Sequence, residues 1–336
     1  MAGIFLAFLT LMSKLLDGNS LSFDYIAFLM MIVLFPTVKE EYRTGKYDFF
    51  HTLAFFSLGI IIAALCALRY AAFPNIAQYI RVDSYQTIIR RSGFYGDANF
   101  YTAQITAALG GCLVLLLQEK KRQRILLVIA ILVVLIYCGF LSGSKSFVLV
   151  SLVMLCLWLL RLTQMKNRLG LKILLLLCVI TLGFYIASSS LFSDLLAVID
   201  TRFSSASDMD SLTTGRTVLW QSYLSEQVGN IKVFFLGKGF TNVKINERGS
   251  HNTILQMFYQ LGFFGVPVLL YWMYGFLNDG IRNRDRKADI EKYMPILLIG
   301  VFLPWMAIDE LFFDDFFMMQ WYVFTAYRIN VKKESG

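Results

Sequence analysis

Apolar residues run through this chain in long, nearly charge-free stretches, without the strict alternation of a half-buried strand or the single stripe of a surface helix. A membrane-spanning helix takes roughly 20 such residues, and somewhat fewer where flanking side chains snorkel. Runs at 49–68, 99–117, 125–144, 173–193 and 252–278 meet that length. Shorter ones lie at 1–13, 25–38, 144–160, 293–308 and 316–327, the last being the weakest. The pattern predicts an all-α polytopic membrane protein of about ten transmembrane helices, with 1–336 forming a single integral membrane domain. The chain opens in an apolar run with no basic n-region and no small-residue cleavage site. The first helix is therefore expected to be retained rather than removed as a signal.

Short loops on the cytoplasmic side of a membrane collect Lys and Arg. Here alternate loops do so: Lys39, Arg43 and Lys46; Lys120, Lys121, Arg122 and Arg124; Arg161, Lys166, Arg168 and Lys172; Arg282, Arg284, Arg286, Lys287 and Lys292; and Arg328, Lys332 and Lys333 at the end. This orients both termini into the cytoplasm. The intervening segments then face outward: the region near Asp17, residues 69–98, the tight SGSK turn at 142–145, a long stretch from 194 to 250, and the acidic DELFFDD at 309–315.

The long outer loop, about 190–250, is too polar to span and too apolar for a plain linker. LFSDLLAVIDTRF sets Phe192, Leu195, Leu196, Ile199 and Phe203 on one helical face, a pattern suited to lying along the membrane surface. GRTVLWQSYLSEQV sets Arg216, Leu219, Trp220, Tyr223 and Leu224 at helical spacing, with Asp208, Asp210 and Thr213 or Thr214 available as capping groups.

Composition agrees with this class. The chain is 57% hydrophobic and 16% charged, with mean hydropathy +0.61, too apolar for an ordinary soluble domain. A net charge of +8 would suggest a nucleic-acid partner in a soluble protein, but here it follows the loops, and no nucleic-acid partner is expected. Cys66, Cys112, Cys138, Cys156 and Cys178 all fall in apolar runs without metal-ligand spacing, and are read as small core or lipid-facing residues.

Candidate chemistry comes from cations that the charge rule does not require. Arg69, Arg81, Arg90, Arg91, Lys145, Arg202, Arg216, Lys232, Lys238, Lys244 and Arg248 lie on the outer side. Guanidinium forks match phosphate oxygens, so an outer mouth lined by arginine fits a lipid-linked phosphate or pyrophosphate. The alternative is a solvated or headgroup-binding surface in which they pair with Asp83, Asp97, Asp194, Asp200, Glu226 and Glu247. His251, at the head of the uncharged run SHNTILQMFYQLGFFG, is a side chain able to take or position a hydroxyl proton, or else serves as a structural cap. His51 has no comparable neighbours and is read as structural. The carboxylates Asp309, Glu310, Asp314 and Asp315 either hold a base or cation or simply mark an outward loop.

RRSGFYGDANF at 90–100, LSGSKS at 141–146, TGRTVLW at 214–220, LGKGF at 236–240 and HNTILQMFYQLGFFG at 251–265 resemble the ordered motifs of the O-antigen ligase and polysaccharide polymerase superfamily. The resemblance covers about 90 to 265. Its most specific part is His251-Asn252 followed by Gly262 and Gly265. It implies a membrane glycosyltransferase on the outer face of the bacterial cytoplasmic membrane, acting on an undecaprenyl-pyrophosphate-linked oligosaccharide without cofactor or metal. The outer loop 194–250 would form part of the active site. Arg91 and Arg216 would bind phosphate, and His251 would be the acceptor-side catalytic residue. Arg90, Arg81, Lys145, Asn99, Asn252 and Lys238 would complete the substrate-binding set. The implied partners are membrane lipids and a flippase and chain-length regulator of the same pathway.

Two positions depart from the family pattern: Ala98 stands where proline is frequent, and Lys145 where arginine is frequent. The chain has room for ten spans against about twelve in many members, which leaves it one or two amino-terminal helices short of that pattern. The expected function is polymerisation of lipid-linked repeats into O-antigen, capsule or exopolysaccharide. There are two alternatives: a ligase, sharing the same donor site, that passes finished glycan to a lipid A core or another acceptor, and a transporter of the same lipid-linked glycan, for which outer arginines alone would serve. Transporters tend to carry paired repeats and helices broken by Gly or Pro, and Pro36, Pro74, Pro267, Pro295 and Pro304 show no such pairing.

The loop charges make a topological prediction. A cysteine placed at Ser207 should react with a membrane-impermeant thiol reagent on intact spheroplasts, and one placed at Asn283 should not. The reverse labelling pattern would invert the orientation.

Overall fold

The computed structural model describes residues 8, 11–12, 49–85, 88–95, 97–165, 215–239, 245, 248–278 and 284–308. Of the expected spans, 1–13, 25–38, 173–193 and 316–327 lie wholly or almost wholly outside these residues, as do the amphipathic stretch at 191–203 and the acidic cluster at 309–315. The described chain is mostly helical: α1 (Phe49–Leu68), α2 (Ala98–Gln118), α3 (Arg122–Leu141), α4 (Lys145–Gln164), α5 (Arg216–Gly229), α6 (Ile231–Leu236), α7 (Thr253–Asn278) and α8 (Arg284–Phe302). Among the described residues, five helices are long and apolar enough to cross a membrane: α1, α2, α3, α4 and the Thr253–Tyr271 part of α7. The short apolar run at 144–160 is thus the core of a 20-residue helix. A shorter apolar helical stretch covers Tyr293–Met306.

The contacts divide the chain into two compact units, one of 57–212 with 293–300, the other of 1–56, 213–292 and 301–336. In the first, α2 is the centre, with every residue from Tyr101 to Leu117 buried. Its small residues allow close approach, the usual device where lipid supplies no hydrophobic drive between helices. At Gly110 an added methyl would stand 3.3 Å from the Ile296 carbonyl oxygen of α8, and at Gly300 one would stand 2.6 Å from the carbonyl oxygen of Thr106. Three polar groups at this surface pair with backbone. Thr106 Oγ1 donates to the Gly300 carbonyl at 2.8 Å, Trp158 Nε1 to Leu113 at 2.8 Å, and the Tyr101 hydroxyl to Ile60 at 2.9 Å.

The segment expected as a plain outer loop contains strands β1 (Arg81–Tyr85) and β2 (Ile88–Gly93), paired antiparallel. This hairpin is a departure from the all-α expectation. Its sequence, RVDSY then IIRRSG, is short and mixed, and it gains support by packing β2 on α2 and α3. Gly93, at φ +61, lies against Ala63 of α1, where a side chain would collide with backbone.

In the second unit the uncharged run at 252–278 is helical but not continuous. At Gly262 the backbone turns to φ 63, ψ −175 and splits α7 into two halves. The ordinary fate of such a break in an apolar span is a set of orphaned carbonyls. Here they find donors: Phe258 O accepts from Gln227 Nε2 at 2.7 Å, Tyr259 O from the Lys238 N–H at 2.9 Å, and Gln260 O from the Gly239 N–H at 2.8 Å. The donors come from α5 and from the Gly237–Gly239 turn that follows α6. On α5, Leu219, Trp220 and Tyr223 face inward as the spacing predicts, whereas Leu224 is exposed. Gln227, one turn beyond Tyr223, occupies that face because it serves Phe258. The N-cap of α5 is Gly215, at φ 76, without a side-chain bond; the acidic and threonine candidates lie outside the described residues.

The break requires two glycines to meet. A methyl on Gly262 would stand 2.5 Å from the Gly237 nitrogen and from the Phe235 oxygen, and one on Gly237 would overlap the Gln260 carbonyl. Both have positive φ. Gly262→Ala and Gly237→Ala should each lower the thermal midpoint in detergent, through a loss of stability well over the ~1 kcal/mol typical of a strained glycine replacement. Gly229→Ala, at a helix end with open space around it, is the matched control and should be neutral or stabilising. Equal midpoints for all three variants would contradict the close approach.

Candidate functional site

In the first unit, polar groups gather at the turn between α3 and α4. Ser142 ends α3, Gly143 takes φ +58, and Ser144 precedes α4. The Ser142 hydroxyl donates to the Gly139 carbonyl at 2.6 Å, lies 3.0 Å from Thr102 Oγ1, and accepts from the Ser144 N–H at 3.3 Å. The Ser144 hydroxyl donates to Asn99 Oδ1 at 2.8 Å, and Asn99 follows Asp97, whose carboxylate caps α2. Strand alternation sends Arg90 and Ser92 to one face of β2 and Ile89 and Arg91 to the other. Arg90 is the one turned to the helices: its Nε donates to the Ser142 carbonyl at 3.3 Å, and its Nη2 is buried without a hydrogen bond. Arg91 is half-buried on the opposite face, and Lys145 is half-buried at the first position of α4. Arg81 is exposed at the start of β1 and pairs with Asp83 at 3.0 Å.

In the second unit the centre is His251. Its φ of 49 makes it the one non-glycine residue at positive φ among the described residues. Left-handed backbone is uncommon outside glycine and is worth attention where it occurs beside polar groups. Both neighbours hold it there. Asn252 caps α7 by accepting from the Ile254 and Leu255 N–H groups at 3.1 and 3.2 Å. Ser250 is fully buried, and its hydroxyl donates to the Asn252 carbonyl at 2.9 Å. One residue further on, Thr253 donates to the Ile308 carbonyl at 2.9 Å.

The segment carrying His251 is tied to α5. Trp220 Nε1 donates to the Ser250 carbonyl at 2.9 Å, and the Tyr223 hydroxyl donates to the Arg248 carbonyl at 2.8 Å. Arg216 is the first residue of α5, half-buried and one turn before Trp220 on the same side of the helix. The structure therefore fixes the helix that begins at Arg216 to the residue immediately before His251.

Lys238 is committed to a different network. Its ammonium pairs with Glu226 at 2.9 Å, and Glu226 accepts from the Tyr259 hydroxyl at 2.8 Å. Burial by itself would raise the Glu226 carboxyl, but the bonds from Lys238 and Tyr259 outweigh it and hold the group below the usual carboxylate range. Its contribution to stability is present above that ordinary range and fades only as pH falls through the lowered value, so it is constant near neutrality. Tyr259 in turn packs edge-on against Tyr223 at 4.8 Å.

Of the residues singled out in the sequence, Arg81, Arg90, Arg91, Asn99 and Lys145 belong to the first unit and Arg216, Lys238, His251 and Asn252 to the second. Arg90 and Asn99 converge on the 142–144 turn. The helix that bears Arg216 and the segment that bears His251 and Asn252 are joined through the Trp220–Ser250 bond. Sequence reading placed Trp220 and Tyr223 on a helical face and Glu226 among possible ion-pair partners but passed over Gln227, although the four fall at i, i+3, i+6 and i+7; nothing in that spacing tells which partner each will reach. Compared with known proteins, the chain matches no family model, no curated protein and no solved structure.

The left-handed backbone at His251 carries its own test. His251→Gly should have a higher thermal midpoint than His251→Ala, because left-handed geometry costs about 1–2 kcal/mol for a residue with a Cβ, alanine as much as histidine, and little for glycine. Equal stability of the two variants would mean that no such cost is borne.

Proposed function

We propose that this chain is a metal-independent membrane glycosyltransferase that joins undecaprenyl-pyrophosphate-linked oligosaccharide repeats on the outer face of the bacterial cytoplasmic membrane, with both termini in the cytoplasm. The observation that carries the reading is the anchoring of α5 to the His251 segment. A half-buried arginine at the head of one helix and a histidine at the head of another are held in one assembly by the Trp220 and Tyr223 bonds. Displacing a lipid pyrophosphate from an anomeric carbon needs fixed positive charge where the leaving group gains negative charge. Arg216 supplies it in this unit, and the sequence motifs give Arg91 a phosphate-binding role as well. The attacking hydroxyl needs to be aimed and relieved of its proton, which is the part of His251. Asn252 holds that backbone while its side chain caps α7.

A ligase would use the same donor site with a different acceptor. The surface glycan of a deletion strain separates the two: single repeats left on the acceptor mark a lost polymerase, and long unattached chains a lost ligase. The break in α7 is the feature that favours a transporter, since such proteins place ions and substrates at the carbonyl ends of broken helices. Here those ends are occupied. The Phe258, Tyr259 and Gln260 carbonyls already accept from Gln227, Lys238 and Gly239, which leaves them little to offer a transported ion.

Lysine keeps the charge of arginine but loses its planar fork. Arg216→Lys and Arg91→Lys should therefore lose most activity while inserting normally. His251→Ala should still bind lipid-linked donor and should turn it over about 10²–10⁴-fold more slowly, the usual value of general-base help. Chelators should change none of these rates. Near-normal polymerisation by purified His251→Ala protein, or activity lost to chelator and restored by a divalent ion, would overturn the assignment.

A further inference from the structure

The first half of α7 carries a second polar feature. Asn252, Gln256 and Gln260 recur at every fourth position and so lie along one side of the half-helix, and all three are buried. Asn252 caps the helix through its side chain, and the backbone carbonyl of Gln260 accepts from Gly239. The side chain of Gln256 caps no helix end among the described residues. It is only 4% exposed, and its side-chain oxygen Oε1 is buried with no hydrogen-bond partner. A primary amide oxygen left without a donor inside an apolar span is unfavourable, and methionine of the same length would fill the volume without that cost. An amide at this place is explained if a ligand supplies the missing partner. The ligand group must be neutral, because no described charge partner serves this side chain and a buried ion would need one. It must also donate a hydrogen bond, and it must reach the side of α7 one turn, about 5.4 Å, beyond the cap that follows His251. A sugar hydroxyl or the N–H of an acylamino sugar meets all three conditions.

We infer that Gln256 is a sugar-recognising residue of the His251 site, its side-chain oxygen accepting a hydrogen bond from a hydroxyl or acylamino group of the saccharide whose reacting hydroxyl His251 orients. The inference rests on the glycosyl-transfer reading above and names the part of that site which recognises the sugar itself, as distinct from its pyrophosphate. Gln256 touches no reacting atom, so it acts on substrate binding and leaves the bond-making step to the arginines and His251.

The test uses full-length protein purified in detergent and, as probe, the polyprenyl-pyrophosphate-linked glycan extracted from a strain lacking this chain. Gln256→Met, and Gln256→Leu as a second apolar replacement, should unfold at the same or a higher temperature than wild type without probe, since each removes the unpaired oxygen. Both should then gain less thermal stabilisation from the probe and show KM raised by about 10-fold, the value of one hydrogen bond, with kcat within about twofold. If wild type turns over the probe with its dependence on Arg216, and both Gln256 variants match its KM and stabilisation, the inference is overturned while the glycosyl-transfer reading stands. If wild type neither binds nor turns over the probe, that reading falls and the inference falls with it. A reduced kcat at unchanged KM would also overturn it, by placing Gln256 in the chemical step.

Discussion

The interruption of α7 at Gly262 is the constraint from which most of the second unit follows. A helix that stops inside an apolar span exposes carbonyls that lipid cannot satisfy, so the surrounding chain must bring donors to them. The Gly237–Gly239 turn supplies two backbone N–H groups and α5 supplies the Gln227 amide. Once those are in place, α5 lies beside the first half of α7. Its remaining inward residues, Trp220, Tyr223 and Glu226, can then meet the 245–250 segment and Tyr259. The position of Arg216 relative to His251 is thus a consequence of how a broken helix is repaired.

The two halves of the candidate chemistry are built by different means. Around the 142–144 turn, hydroxyls and an amide form a chain from Thr102 through Ser142 and Ser144 to Asn99, with Arg90 added from the hairpin. Uncharged groups there pin helix ends and align a single guanidinium. Around His251 the means is backbone geometry: a left-handed residue clamped between a buried serine and a capping asparagine. Strain of this kind persists only where neighbours over-determine it, and both neighbours here are polar and hydrogen-bonded on the same short segment.

Charge plays a smaller structural part than its abundance in the sequence suggests. Lys238, a candidate ligand by position, spends its ammonium on Glu226, and Arg81 spends its guanidinium on Asp83. Exposed pairs of this sort contribute little each, typically ~0–1 kcal/mol. The Glu226 pair matters through its geometry, since it holds the turn that closes the break and engages the Tyr259 hydroxyl at the same time.

The long apolar helices at 49–68, 99–117, 125–144 and 144–160 were legible from the sequence, because hydrophobic length is a local property that bilayer thickness and the backbone's own bonding dictate. The cap at Asn252 was not read there, since the sequence offered His251 as the structural cap and Asn252 only as a substrate ligand. The hairpin at 81–93 was not, since its short mixed strands gain support from packing on α2 and α3. Nor was the choice of Arg90 over Arg91 as the side chain turned to the 142–144 turn, which strand register alone decides. The break at Gly262 escaped notice because a glycine in an apolar run is ordinarily tolerated inside a helix. Only the approach of Gly237, itself set by α6 and the turn after it, makes that glycine the end of one half-helix and the start of another.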